Sequence, residues 1–242
     1  MTADPRLIVP LDLPTVDDAR AMVERLGDAI SFYKIGLELL ASDGMGLARD
    51  LKASGKAIFL DWKLHDIGAT VERSARVLAQ SGCDLLTVHA EPQVMKAAVQ
   101  ARGSSSLKIL AVTVLTSLTD ADLIEMGYAF SARDLVERRV RQAIDCGVDG
   151  IVSSPHEAGL AREIATTAGR PDFLIVTPGV RPFWSAKNDQ ARAATPEAAI
   201  RAGASHLVCG RPITAANDPR EAALKVIAER LNQVVRKGDF VS

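Results

Sequence analysis

Several features that would mark a special class of protein are scarce in this sequence. Aromatic residues make up only 4% of its 242 residues, and lysine plus arginine (29) nearly balance aspartate plus glutamate (30), which leaves a net charge of -1. A chain without an overall basic field lacks the electrostatic footprint of a nucleic-acid-binding protein, so any anion site must be local. The apolar content of 48% is typical of a globular protein with a large core.

Cysteine is also rare, and the three cysteines lie far apart. Cys83, Cys146 and Cys209 form no C-x-x-C pair, which argues against a disulfide framework or a zinc site and favours reduced thiols. The start of the chain, MTADPRLIVPLDLP, lacks the basic and apolar regions of a signal peptide. No apolar run reaches the roughly 18 residues of a membrane span. We therefore expect a cytoplasmic protein.

Eight short apolar segments, rich in β-branched residues, recur along the chain. Most are apolar at nearly every position, as parallel strands buried on both faces are. Helical patterns lie between them, for example after Thr15, after Ser131, from Thr195-Pro196 and over about 219–235. The predicted strands are LIVPLDL (7–13), SFYKIGL (31–37), AIFLDWKL (57–64), LLTVHA (85–90), KILAVTVL (108–115), GIVSS (150–154), DFLIVTP (172–178) and HLVCGRPI (206–213).

This alternation of strands and helices predicts an α/β fold. A repeat of about 30 residues is the size of a βα module. No linker or shift in composition divides the chain, so we predict one (β/α)8 TIM barrel domain over residues 1–242. A doubly wound open sheet is the alternative, but DLPTVDD follows the first strand where that fold carries a G-x-G-x-x-G fingerprint.

The segment FLDWKLHDIGAT, at the end of the third predicted strand, holds a dense group of charges. Asp61 and Lys63 are two residues apart, so their side chains share a face of the strand, and Lys34 lies on the second strand. Catalytic groups of a barrel lie at the C-terminal ends of its strands, so we expect an active site here. The structural alternative is a salt-bridge network that closes the barrel mouth.

Carboxylates beside a lysine stabilise its charged form, and this limits the possible chemistry. An ammonium group cannot act as a Schiff-base nucleophile, but it can stabilise a carbanion and then protonate it. The lysines would compete with a metal ion, so we expect no metal site. His65 and His89 are interpreted as hydrogen-bonded structural residues.

Glycine and arginine stand just after the seventh predicted strand and at the end of the eighth, where barrels bind phosphate through backbone N–H groups. Gly179-x-Arg181 and Gly210-Arg211 together favour a phosphorylated substrate, although either pair alone could be a turn with a solvated arginine.

The long polar stretch between those two pairs predicts a phosphate lid loop near 181–194. Gln190 would reach the ligand when the lid closes. The simpler interpretation of Trp184 is that it packs the loop against the barrel rim.

Together these residues resemble the orotidine 5'-phosphate decarboxylase family, bacterial type, over essentially the whole chain. The family signature is D-x-K-x-x-D, here formed by Asp61, Lys63 and Asp66. Its surroundings match as well: LDLP with Asp12, FYKIGLEL with Lys34, TVLTS with Thr116, TPGVRP with Arg181, NDQAR with Gln190, and VCGRPI with Gly210 and Arg211.

The resemblance implies a carboxy-lyase that converts orotidine 5'-phosphate to UMP, the last step of de novo UMP synthesis, without a cofactor. Lys63 would donate a proton to the pyrimidine carbon that loses carbon dioxide, and Asp61 would lie against the departing carboxylate. Lys34 and Asp66 would complete an alternating array of charges around the reacting carbon.

The resemblance also implies a homodimer that shares its active sites across the interface, with no nucleic acid or membrane as partner. Asp66, Ile67 and Thr70 of each subunit would reach the site of the other. The remaining substrate contacts would come from Asp12 and Lys34 at the ribose, Thr116 at the base, and Arg181, Gln190, Gly210 and Arg211 at the phosphate.

Two other functions fit parts of the pattern. A 3-keto-6-phosphogulonate decarboxylase shares the barrel and the D-x-K-x-x-D motif, but works with magnesium and carries glutamate where this chain has Lys34. A non-catalytic barrel that binds a phosphorylated ligand would keep Arg181 and Arg211 but would not need Asp61 and Lys63.

Overall fold

The structure is a computed structural model that describes residues 3–185 and 194–236. Within these residues eight parallel strands form a closed barrel in sequence order, which confirms the predicted (β/α)8 fold. The barrel closes where β8 pairs with β1 through Leu207 and Leu7. The strands are β1 (Leu7–Pro10), β2 (Phe32–Ile35), β3 (Ala57–Leu64), β4 (Leu85–His89), β5 (Lys108–Val112), β6 (Gly150–Val152), β7 (Leu174–Thr177) and β8 (His206–Val208).

Helices follow the strands and cover the outside of the barrel. Thr15, Ser131 and Thr195 cap three of them by accepting backbone N–H groups with their hydroxyl oxygens, and these three helices begin where the sequence patterns predict helices. The helices are α1 (Val16–Leu26), α2 (Leu37–Leu40), α3 (Gly44–Ala53), α4 (Gly68–Ala79), α5 (Pro92–Arg102), α6 (Asp120–Glu125), α7 (Ala132–Asp145), α8 (Ala158–Thr167), α9 (Pro196–Ala202), α10 (Arg211–Thr214) and α11 (Pro219–Arg236). No helix in the described ranges has the length and apolar character needed to cross a membrane.

Several strands end earlier than their apolar patterns predict. The fifth was expected to reach residue 115 but β5 ends at Val112, and the eighth was expected to reach 213 but β8 ends at Val208. The apolar pattern continues because the loops beyond the strands still pack at the barrel mouth, and because Arg211–Thr214 is already a helical turn. An apolar pattern indicates which residues are buried, and here residues remain buried beyond the last hydrogen-bonded pair of these strands.

Residues that point into the barrel change character along its axis. The lower interior is an apolar layer that contains Ile8, Phe32, Phe59, Leu85, Leu110, Val176 and Val208. One step further along their strands, the corresponding positions of β2, β3 and β4 are Lys34, Asp61 and Thr87. The apolar layer therefore forms the floor on which a polar layer stands at the C-terminal ends of the strands.

The opposite end of the barrel carries a repeated hydrogen-bonding device. Just before β4, β6 and β8, a polar side chain accepts the backbone N–H of the second residue of the preceding strand. These bonds join Asp84 to Ile58 (2.7 Å), Asp149 to Ile109 (2.8 Å) and Ser205 to Ile175 (2.7 Å). Lys52 pairs with Asp84 at 2.9 Å, and Arg102 pairs with Asp149. Backbone donors at the N-terminal ends of the strands are thereby satisfied.

Candidate active site

A cavity of about 530 Å³ opens at the C-terminal ends of the strands. Its volume is in the ordinary range for a small-molecule site. Eight of the predicted site residues line it: Asp12, Lys34, Asp61, Lys63, Thr116, Arg181, Gly210 and Arg211. Residues from six different strand ends thus meet in one place, as the barrel topology requires.

Two lysines and two aspartates form a continuous chain of charges in this cavity, which we call the charge array (Asp12, Lys34, Asp61 and Lys63). Lys34 Nζ lies 2.9 Å from Asp12 Oδ1 and 3.4 Å from Asp61 Oδ2. Lys63 Nζ lies 2.9 Å from Asp61 Oδ1. The Lys34 side chain is 9% exposed and that of Asp61 14%, so water screens the centre of the array only weakly.

Asp61 is the best compensated charge of the array. Burial alone would raise the pKa of its carboxyl, but the ammonium groups of Lys34 and Lys63 and the hydrogen bonds from Lys63 and Thr87 together hold that pKa below its usual value. The group is therefore a carboxylate at neutral pH, and it keeps a negative charge beside Lys63.

A side chain at Gly36 would displace the ends of the Asp12 and Lys34 side chains. A Cβ atom on Gly36 would lie 2.5 Å from Asp12 Oδ1 and 3.0 Å from Lys34 Nζ. The glycine of FYKIG thus allows the backbone to approach the charge array.

Lys63 reaches Asp61 through an irregular backbone rather than through simple strand alternation. Leu60 pairs with Leu86 and Leu64 pairs with Val88, so residues 61–63 of β3 lie opposite the single residue Thr87 of β4. Among the described residues other than glycine, Lys63 alone has a positive φ, of 48°. Such bulges re-aim side chains and are common beside active sites. The sequence predicts the meeting of Asp61 and Lys63 but not the bulge that produces it.

Thr87 is a residue of this site that the sequence analysis missed. It is fully buried, its hydroxyl donates to Asp61 Oδ1 at 3.0 Å, and it accepts the Lys63 backbone N–H at 2.9 Å. The available signal was a threonine within the apolar strand LLTVH, two residues after the inward-facing Leu85.

The loops after β7 and β8 form another part of the cavity lining, which we call the β7–β8 wall (Gly179, Arg181, Gly210 and Arg211). Gly179 has φ 76°, a left-handed conformation that favours glycine. The Arg181 backbone N–H donates to the carbonyl of Ala194 at 2.9 Å, which holds the start of its loop next to the loop's end. Gly210 precedes helix α10, and Arg211 begins it.

The predicted lid is described only at its two ends. Gln190 lies outside the described residues. Phe183 is 90% exposed and Trp184 44% exposed, so the predicted packing of Trp184 against the rim is at most partial. The Phe183 backbone N–H is 3.3 Å from both carboxylate oxygens of Glu229 on α11.

Asp66, Ile67 and Thr70 do not line the cavity of their own chain. Asp66 is exposed, and its Oδ1 accepts the N–H of the next residue, Ile67, at 2.6 Å. The Ile67 side chain is 67% exposed although it is apolar. Within one chain the structure therefore does not bring these three residues to the charge array.

The two histidines near the site contact each other. The rings of His65 and His89 lie 4.6 Å apart between centroids, and His65 Nε2 is 3.3 Å from Glu91 Oε2. These ligand-type atoms are close enough to hold a metal ion, but the Arg139 guanidinium already lies 3.9 Å from Glu91. Burial lowers the pKa of His89, which favours its neutral form.

Comparisons with known proteins agree with this geometry. Residues 5–226 match the model of the Orotidine 5'-phosphate decarboxylase / HUMPS family. An orotidine 5'-phosphate decarboxylase of Caulobacter vibrioides is 90% identical over 229 residues, which cover 95% of this chain and 98% of that protein. A Rhodopseudomonas palustris protein with the same name is 56% identical over 231 residues, or 94% of this chain and 97% of that one.

A solved structure is similar over the whole barrel. The crystal structure of orotidine 5'-phosphate decarboxylase from Lactobacillus acidophilus superposes with a TM-score of 0.80 at 36% identity, covering 94% of this chain and 99% of that chain. The similarity therefore extends to the full length of these proteins and is not limited to a shared motif.

Proposed function

The chain belongs to the orotidine 5'-phosphate decarboxylase / HUMPS family, and on this premise we propose how its residues carry out the reaction. The protein decarboxylates orotidine 5'-phosphate to UMP in pyrimidine biosynthesis, so it is a carboxy-lyase with a small nucleotide as substrate. The observation that supports our proposal most directly is the position of Asp61, whose carboxylate lies between the ammonium groups of Lys34 and Lys63.

Lys63 is the proton donor in this proposal. When the bond to the carboxylate carbon breaks, the electron pair stays on the pyrimidine carbon, and no adjacent carbonyl group delocalises it. A fixed ammonium in a weakly screened site stabilises that charge. Lys63 then transfers a proton to the same carbon and regains one from water afterwards. The reaction consumes only a proton, and our proposed mechanism uses no cofactor and no metal.

Asp61 and Lys34 set the charges around the carbon that loses carbon dioxide and is then protonated. Asp61 lies against the departing carboxylate and, through its ion pair with Lys63, keeps the Lys63 ammonium aimed until carbon dioxide has left. Lys34 balances Asp61 and Asp12, and together with Asp12 it contacts the ribose. Their mutual distances of 2.9–3.4 Å favour one fixed arrangement, which reduces reorganisation during the reaction.

We propose that the β7–β8 wall binds the phosphate. Arg181 and Arg211 provide charged donors, and the backbone at Gly210 allows close approach of the anion. Thr116, which lines the cavity beyond β5, contacts the base, and Gln190 reaches the phosphate from a lid near 181–194. Binding energy from the phosphate, which is far from the reacting carbon, then helps to position the base.

The exposed segment after β3 supports a homodimer with shared sites. Asp66 and Thr70 are polar groups next to Ile67, whose apolar side chain is left in solvent by its own chain. In our proposal each subunit places these three residues at the cavity mouth of its partner, where Asp66 completes the alternating charges. We also propose a single-domain enzyme of the cytoplasm, a location that the free thiols of Cys83, Cys146 and Cys209 suit.

The magnesium-dependent sugar-phosphate alternative fits the array poorly. Lys34 Nζ lies within 3.4 Å of carboxylates from both Asp12 and Asp61, so an ammonium group takes the place between them that a divalent cation would need. A non-catalytic binding barrel gives no reason for the charge array.

An ultraviolet absorbance assay tests the proposal. Orotidine 5'-phosphate is mixed with the protein, with and without EDTA, and conversion to UMP is followed. We expect the same rate in both samples, and we expect Lys63→Ala protein to bind UMP without turning over substrate. A rate that EDTA abolishes, or an active Lys63→Ala protein, would overturn the mechanism.

A further inference from the structure

Thr87 occupies a position in the barrel that ordinary packing does not explain. It is the third residue of β4, it is fully buried, and it points into the same interior as Leu85. Fully buried positions are usually taken by apolar residues such as valine or leucine rather than by threonine. A buried hydroxyl is costly unless it is hydrogen-bonded, and both bonds of this hydroxyl go to the bulge of β3 that carries Asp61 and Lys63.

The direction of these two hydrogen bonds is determined by chemistry. A backbone N–H only donates, so the Thr87 oxygen must accept from Lys63. A carboxylate only accepts, so the single hydroxyl proton must go to Asp61. Thr87 therefore holds one defined orientation, and the two bonds support each other.

The bulge explains why a side chain is needed at this point. Residues 61–63 lie opposite one residue of β4, so the strand cannot pair all of its backbone groups with the neighbouring strand. The hydroxyl takes the place of a ladder acceptor for Lys63, whose left-handed φ of 48° is unfavourable for a residue with a side chain.

We propose that Thr87 is a positioning residue for the decarboxylation. It holds the backbone of Lys63 and the carboxylate of Asp61 with the same oxygen, and so keeps the proton donor aimed while the charges around it change during the reaction. This inference rests on the proposed roles of Lys63 and Asp61. Thr87 does not itself contact the substrate in this proposal.

Three substitutions test it. Thr87→Val keeps the shape but removes both hydrogen bonds, and Thr87→Ser keeps the hydroxyl. Thr113→Val is the matched control, because Thr113 is equally buried just beyond β5 but donates to the carbonyl of Val152 at 3.0 Å, away from the charge array.

We expect Thr87→Val to lower kcat by about 10- to 100-fold, the usual effect of losing a hydrogen bond to a charged group. KM and the dissociation constant for UMP should change by less than about threefold, because the substitution does not alter the β7–β8 wall that binds the phosphate. Thr87→Ser should keep kcat within about threefold of the wild type. Thr113→Val should leave kcat unchanged.

The pH profile supplies a second measurement. Thr87 donates to the carboxylate form of Asp61, so its loss should raise the pKa of Asp61 and move the acidic limb of the kcat profile to higher pH. A residue that only stabilises the fold would not move that limb.

The proposal is wrong if Thr87→Val keeps kcat within about threefold, if UMP binding falls as much as kcat does, or if Thr113→Val is equally impaired. Should Thr87→Val not fold, Thr87→Cys replaces it, because a thiol is a weak donor and acceptor of similar size. A cysteine variant as active as the serine variant would likewise overturn the proposal. Lys63→Ala distinguishes a failure of the proposed role of Lys63 from a failure of the proposed role of Thr87. Activity in Lys63→Ala would refute the role of Lys63, whatever the Thr87 variants show.

Discussion

The two ends of the barrel use the same chemical groups for different purposes. At the N-terminal ends of the strands, Asp84 and Asp149 each accept a backbone N–H and pair with a basic side chain. At the C-terminal ends, Asp61 pairs with two lysines beside a cavity.

The difference lies in what surrounds each carboxylate. We call the N-terminal ends of the strands the lower end of the barrel and the C-terminal ends the upper end. Asp84 and Asp149 at the lower end bond to the sheet backbone, so they stabilise the fold. Asp61 at the upper end bonds mostly to side chains that face an open cavity, so these charged groups are available to a ligand. The comparison predicts that substitutions at the upper end change the kinetics and that substitutions at the lower end change the stability.

Replacing a lysine at each end should produce the largest contrast. Lys63→Ala should lower kcat by on the order of 10⁴-fold, because it removes both the stabilising charge and the proton donor. UMP binding should survive. Lys52→Ala, which removes the partner of Asp84, should leave kcat unchanged. Steady-state kinetics on both variants decide the point: a Lys63→Ala enzyme that keeps more than about a tenth of kcat would remove Lys63 from the proton-donor role.

The converse effect is expected on stability. Asp149→Ala removes the carboxylate that the Arg102 guanidinium and the Ile109 N–H both contact, so the free energy of unfolding should fall by about 3 kcal/mol. Denaturant unfolding measures this loss. Asp12→Ala is the control at the upper end; its side chain is half exposed, so it should cost little stability while it impairs the reaction. Equal stability losses in the two variants would contradict the division between the ends.

Within the upper end, we expect the charge array to affect mainly kcat and the β7–β8 wall to affect mainly KM, with smaller changes than those above. Arg211→Ala should raise KM for orotidine 5'-phosphate by about 10- to 100-fold, with some loss of kcat because phosphate binding also positions the base. Orotidine without the phosphate should be nearly insensitive to the substitution. If both substrates lose activity equally, Arg211 is not part of the phosphate site.

Low pH should reduce the free energy of unfolding through His206, the first residue of β8 at the lower end. Burial, with a contribution from Arg6, lowers the pKa of this histidine to about 4. An unfolded chain protonates it near its ordinary pKa of 6.5, so stability is complete above pH 6.5 and declines as the pH falls from 6.5 toward 4. Between pH 6.5 and pH 5 the loss should be at most about 2 kcal/mol. Thermal melts of wild type and His206→Leu over that interval test this; a variant with the same pH slope as the wild type would refute it.

Sharing of the upper end between two subunits can be tested by mixing variants. Lys63→Ala and Asp66→Ala should each be nearly inactive alone. In a mixed dimer with shared sites, one site is fully native and the other carries both substitutions. Random assortment makes about half of the dimers mixed, so co-expression should restore roughly a quarter of wild-type activity. Co-expressed protein no more active than the separate variants, with mixed dimers confirmed by mass, would show that each site lies within one chain.

The sequence alone determined most of the fold and most of the site. The near-continuous apolar strands at regular spacing predict the barrel, because parallel strands are buried on both faces. The starts of the helices after Thr15, Ser131 and Thr195 follow from local sequence patterns, and local hydrogen bonds cap them. The charged and glycine-containing ends of the strands then indicate where the cavity lies, because barrel topology brings all these ends together.

Only the tertiary structure decided the features that depend on contacts between neighbouring strands. The bulge at 61–63 arises from the register of β3 against β4, and no local pattern in FLDWKL distinguishes it from a regular strand. Thr87 lies 24 residues after Lys63, so its role depends on that register. Asp66 and Ile67 lie only three and four residues after Lys63, yet their own chain leaves them in solvent. Spacing along a chain predicts which side chains share a strand face, but the pairing of strands determines which atoms meet across it.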